Sequence, residues 1–148
     1  MRLANRTTLD PIQLARIVNA VCPRGLDDET MVIFEPVAAA CCSGLAWARD
    51  SKFPGSIPHA YIYVTVEPLF PQYPPPMKNR FTGLFGFTVR LRNIEQSLVY
   101  TVAHELAHLH FGHSERVAHA WGMRMVRRYL RRGLPAPQSV NYEILRAA

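Results

Sequence analysis

The stretch NIEQSLVYTVAHELAHLHFGHSERVAHAWGMRMVRRYLRRG, residues 93–133, decides how this chain folds. Asn93 stands where a helix cap is expected, with Gln96 at the capping-box position behind it. Val99, Val102, Leu106 and Leu109 then recur at helical spacing, which predicts a helix to about Phe111 with an apolar stripe facing a core. Gly112 breaks it, and Ser114 caps a second helix that runs to about Arg132 before Gly133 and Pro135 end it. A turn this short folds the second helix back antiparallel to the first.

The first helix carries His104-Glu105-Leu106-Ala107-His108. Positions i and i+4 share a helix face, so both imidazoles can reach one metal ion. Glu105 lies about 100° around from His104, beside that metal, where it can take a proton from water. Leu106 points into the core, and the histidine face, continued by the small residues Ser97 and Thr101, suits the floor of a cleft. Residues facing one another in an antiparallel pair have numbers with a constant sum. If the chain reverses at Gly112, Glu115 stands level with His108 and His119 level with His104. Glu115 is then placed to complete a His/His/Glu site with His119 supporting His104 from behind. His113, in the turn, and His119 remain alternative third ligands. His110 points about 200° away from His108 and is a poor candidate.

Upstream, Asp10-Pro11-Ile12-Gln13 opens a helix with a cap, a proline at the first helical position and Gln13 at the box position. Leu14, Ile17, Val18 and Val21 keep its period until Pro23. Met31 to Phe34 is a short strand closed by Pro36, and Gly44 to Ala48 is a second. His59 to Val66 alternates most cleanly, and Phe85 to Leu91 forms a further strand. Between them residues 67–80 hold five of the twelve prolines and read as loop. The tail has room for one turn around Tyr142 to Leu145. With strands ahead of two adjacent helices and no repeat, residues 1–148 read as one α+β domain whose sheet is small, twisted and mostly antiparallel.

Composition agrees. Apolar residues make up 49% of 148, enough for one core, and the low-hydrophobicity signature of disorder is absent. No apolar run approaches the roughly 20 residues of a membrane helix, and the first residues are not a signal peptide, so a cytoplasmic protein without membrane contact is expected. Cys22, Cys41 and Cys42 offer no C-x-x-C spacing and read as small buried thiols. The net charge of +6 comes from 17 basic residues, 15 of them arginine, against 11 acidic ones. Arg124, Arg127, Arg128, Arg131 and Arg132 fall on one face of the last long helix. Such a face is either a solvated one helped by the helix dipole or a phosphate-contacting surface.

Over residues 94–130 the sequence resembles a small gluzincin-type zinc metallopeptidase, in which H-E-x-x-H on one helix is completed by a glutamate on the next. The segment Glu115-Arg-Val-Ala118-His119-Ala-Trp121-Gly122 is similar to the E-x-x-A-[ND]-x-[FW]-A segment of ImmA/IrrE-like proteins, and the minimal layout is similar to zincin-like proteins of phages and mobile elements. Two departures stand out: His119 replaces the usual Asn or Asp, and the loop between the helices is much shorter. The SprT-like group, whose third ligand is a histidine, is the rival comparison, with His113 in that part. The resemblance implies a minimal zincin-like fold and Zn2+ held by His104, His108 and Glu115. It implies peptide-bond hydrolysis with Glu105 as general base, on a protein or peptide substrate bound as an extra strand along His59–Val66 or Phe85–Leu91. Tyr61, Tyr63, His59, His113 and Tyr142 have the chemistry of a second oxyanion donor. Both comparisons are compatible with work close to DNA, through Arg124, Arg127, Arg128 and Arg131.

Overall fold

A computed structural model describes residues 1–37, 44–50, 52–53, 55–65, 94–136 and 143–146. In chain order these form β1 (Arg2–Asn5), α1 (Pro11–Val21), β2 (Met31–Val37), β3 (Gly44–Trp47), β4 (His59–Thr65), α2 (Ile94–Phe111), α3 (Glu115–Arg132) and β5 (Glu143–Arg146). Among the described residues the fold is α+β, with three helices and a five-stranded mixed sheet in the order β3-β4-β2-β1-β5.

Among the described residues the sheet is mostly parallel, not mostly antiparallel as expected. β1 pairs in parallel with β2 and β5, β2 pairs in parallel with β4, and β3 alone is antiparallel, to β4. For β1 and β2 the physical cause is α1. It is the crossover between β1 and β2, and a crossover returns the chain in the same direction, which a hairpin cannot do. β1 itself went unforeseen, because Arg-Leu-Ala-Asn shows no period long enough to read, whereas its neighbour β2 falls on the strand expected at Met31 to Phe34. The expected C-terminal turn is instead strand β5, whose residues 143–146 pair one for one with 2–5.

Pro36 does not close β2, which runs on to Val37. β1 covers β2 only from Met31 to Phe34, so beyond that point β4 is its one neighbour and a missing N–H is tolerated. The proline-rich residues 67–80, the strand expected at Phe85–Leu91, Asn93, Tyr142, Val66, Cys41 and Cys42 lie outside the described residues. Cys22 is half-buried with a free thiol.

Alternation sorts the sheet's faces. Leu3, Val32, Phe34, Ala60 and Ile62 turn inward and are fully buried against Leu14, Ile17, Val18, Val99, Val102 and Leu106. Each buried Leu, Ile, Val or Phe among them contributes about 1.5–3 kcal/mol by leaving water. The outward positions of β3 and β4 hold Trp47, His59, Tyr61 and Tyr63 in a continuous run of ring contacts. Asp10 caps α1 by accepting from the Ile12 N–H at 3.0 Å, but Gln13 does not close the box. It reaches across to Glu95 of α2 instead, at 2.5 Å, and helps tie the first helix to the second. None of the helices described is long and apolar enough to cross a membrane.

Candidate metal centre

The site is built on the α2–turn–α3 hairpin. Val99, Val102 and Leu106 are fully buried, which turns the next stripe of α2, with His104 and His108, along the helix–helix seam. Their Nε2 atoms stand 3.2 Å apart. Gly112 makes the reversal at φ +94°, a left-handed conformation that a side chain disfavours. Ser114 caps α3 by accepting from the Val117 N–H, and Glu115 is therefore its first residue.

From there Glu115 reaches back to both histidines. Its Oε1 lies 3.0 Å from His108 Nε2 and its Oε2 lies 3.1 Å from His104 Nε2. His104, His108 and Glu115 form a group that can hold a metal ion. The histidine side chains are only 14% and 13% exposed while that of Glu115 is 77% exposed, so the group is walled on the helix side and open to solvent on the other.

The Gly112 turn has a second use. Its carbonyl oxygen lies 3.1 Å from His108 Nδ1. When Nδ1–H donates to that oxygen, the Nε2 lone pair is left facing Glu115. Burial holds His104 below the usual histidine range, against the pull of Glu115 and with the push of His108. A neutral imidazole is the form that ligates.

Glu105 is 7% exposed and lies against β3. A Cβ added at Gly44 would stand 2.7 Å from its Cγ and 2.9 Å from its Oε1, so the carboxylate occupies the space a side chain would fill. Burial pushes its pKa up to about 7, with His108 pulling down and Glu115 pushing up. A carboxyl that titrates near neutrality is poised to accept and release a proton.

His119 is not among the converging atoms. Its Nδ1 is 2.8 Å from the hydroxyl of Tyr100, which in turn lies 3.4 Å from His104 Nδ1. Burial holds His119 below the usual histidine range and Tyr100 well above the usual phenol range. Tyr100 and Gly44 escaped the sequence reading. Tyr100 stands at i−4 from His104, a spacing that could have flagged it. Gly44 has no local signal, since only the fold brings it to Glu105.

Other candidates fall elsewhere. His113 is exposed in the turn and outside the converging group. His59, Tyr61 and Tyr63 point off the sheet face opposite the buried Ala60 and Ile62, away from α2, so they do not serve as oxyanion donors there. β4 is paired on both sides and is not an edge, whereas β3 is an edge among the described residues. Arg124, Arg128 and Arg131 are exposed and Arg127 half-buried, with the Arg124 guanidinium 5.7 Å from the Trp121 ring. They begin nine residues after Glu115, about 14 Å along the helix. The chain matches no family model, no characterised protein and no solved structure in the comparisons made with them.

Proposed function

We propose that the chain is a small zincin-like, gluzincin-type zinc metallopeptidase that hydrolyses peptide bonds in a protein or peptide substrate. His104, His108 and Glu115 would hold Zn2+, and Glu105 is the general base. The observation that carries this reading is the convergence of two Nε2 atoms and one carboxylate within 3.0–3.2 Å of one another. Ligand atoms about 2.0–2.1 Å from a tetrahedral zinc stand about 3.3–3.4 Å apart, so the trio needs only a slight expansion to fit. Two histidines and a glutamate with one side open to solvent match a catalytic donor set, not the closed four-ligand cage of a structural site.

Bound there, zinc supplies Lewis acidity, bringing the pKa of water to about 7 and polarising a carbonyl. The chain's own residues do the rest. Glu105 accepts the proton of the attacking water and carries it to the leaving amine. Its burial against Gly44 keeps it in one place and out of bulk water. β3 leaves one row of backbone groups unpaired among the described residues and touches Glu105 at Gly44. An extended substrate added along that edge would pass beside the base.

Substitution of Glu105 by glutamine tests the reading. Stoichiometric zinc in the purified protein, cleavage of a peptide library by wild type, and loss of cleavage with zinc retained in Glu105→Gln are expected. Stoichiometric zinc with no cleavage of any peptide would replace the enzyme with a zinc-stabilised interaction module. A second reading, contact with nucleic acid, is favoured by the exposure of Arg124, Arg128 and Arg131 on one face of α3.

A further inference from the structure

His108 has a backbone carbonyl behind it to hold its Nδ1 proton, and His104 has none. What stands behind His104 is Tyr100. Its hydroxyl lies 3.4 Å from His104 Nδ1 and 2.8 Å from His119 Nδ1, so it bridges α2 and α3. The ring fits between the helices because position 122 is glycine. A Cβ there would stand 2.8 Å from Tyr100 Cε2 and 2.9 Å from Cδ2. Tyr100, His119 and Gly122 are thus one arrangement: a phenol threaded through the helix seam to join two imidazoles.

A phenol carries one proton, and it can go to only one of the two nitrogens. If it goes to His119, the phenol oxygen is free to accept Nδ1–H from His104, and His104 Nε2 keeps its lone pair for the site. If it goes to His104, that histidine must carry its proton on Nε2, pointing at Glu115 and occupying the ligand position. Phenols donate better than they accept, and imidazole nitrogen is the better acceptor. The short contact is therefore the one in which the hydroxyl donates, to His119.

We infer that Tyr100 is a positioning residue: by donating to His119 Nδ1 it accepts the Nδ1–H of His104, and so locks His104 in the tautomer whose Nε2 faces Glu115 and His108. The value of that tautomer rests on the metal-site reading above, but the tautomer can be measured without metal in a Glu115→Ala background, which removes the carboxylate 3.1 Å from His104 Nε2 that would otherwise draw the proton there.

Long-range 1H–15N correlation of the metal-free protein, at a pH where the histidines are neutral, reads the tautomer directly. In Glu115→Ala His104 should carry its proton on Nδ1, and with Tyr100→Phe added it should shift toward the Nε2–H form that an unassisted imidazole favours. His119→Leu removes the acceptor and should behave like Tyr100→Phe. His119→Gln restores an acceptor and should return the Nδ1–H pattern. Zinc affinity by chelator competition should fall 10–100-fold in Tyr100→Phe and His119→Leu, and far less in His119→Gln. The double variant should lose no more than either single one, because the two act in series. An unchanged His104 tautomer in Tyr100→Phe, or losses that add in the double variant, would overturn the inference. A wild-type chain that binds no zinc, while the Glu115→Ala background shows the tautomer shift, would refute the metallopeptidase and leave the positioning role standing.

Discussion

Replacing Gly44 by alanine should disarm Glu105 while leaving the metal ligands in place. The new methyl carbon would stand 2.7 Å from Glu105 Cγ, 3.0 Å from Cδ and 2.9 Å from Oε1. Carbon atoms rest about 3.5–4.0 Å apart, so the carboxylate must retreat by about 1 Å. A displacement of that size costs about 100-fold in rate, and crowding of this kind costs about 1–3 kcal/mol of stability. The three atoms nearest that methyl all belong to Glu105, so zinc binding should be unchanged. Stability against pH supplies a readout independent of turnover. Burial raises the Glu105 pKa from 4.5 to about 7, so the folded state binds this proton more tightly than the unfolded one. Its contribution is fully present below about pH 4.5 and is lost as pH rises through about 7, a change of about 3 kcal/mol. His104 and His119, whose pKa values are lowered, act in the opposite sense, so the comparison is made against Glu105→Gln, which keeps them. Denaturant unfolding of the metal-free protein from pH 4.5 to 8 should show wild type losing about 3 kcal/mol more than Glu105→Gln. Gly44→Ala should fall between them, with its carboxylate moved toward water. Full turnover in Gly44→Ala, together with an unaltered pH profile, would refute the packing argument.

The ligand set and the arginine face offer separate tests. Glu115→Ala should lose zinc almost as fully as His104→Ala or His108→Ala, measured by metal analysis after dialysis, whereas His113→Ala should leave binding near wild type; the reverse ranking would move the third ligand into the turn. If α3 contacts phosphates, DNA affinity measured by anisotropy should fall steeply with salt, and replacing Arg124, Arg128 and Arg131 together should reduce the logarithmic salt slope by about 2–3. Binding that ignores salt, or none at low ionic strength, would leave these arginines as a solvated face.

The helical part of this protein was legible residue by residue. Asp10, Ser114, Gly112 and Gly133 punctuate the chain within a turn of where they act, and the stripe from Val99 to Leu109 orients α2 through its period alone. The spacing of His104 and His108, and the constant-sum pairing across Gly112, needed nothing beyond helix geometry, and Glu115 indeed lies beside both histidines. The sheet was not legible in that way. Whether a strand is parallel, and which strand it neighbours, depends on partners tens of residues away, as with residues 2–5 lying between 31–34 and 143–146. The expected antiparallel sheet therefore gave way to one organised by the α1 crossover, and β4 became an interior strand. The two contacts that tune the site share this origin. Gly44 meets Glu105, and Tyr100 reaches His119 past Gly122, only after helices and sheet have packed. Helical periodicity is a local property and can be read along the chain, whereas close packing between distant segments exists only once the chain has folded.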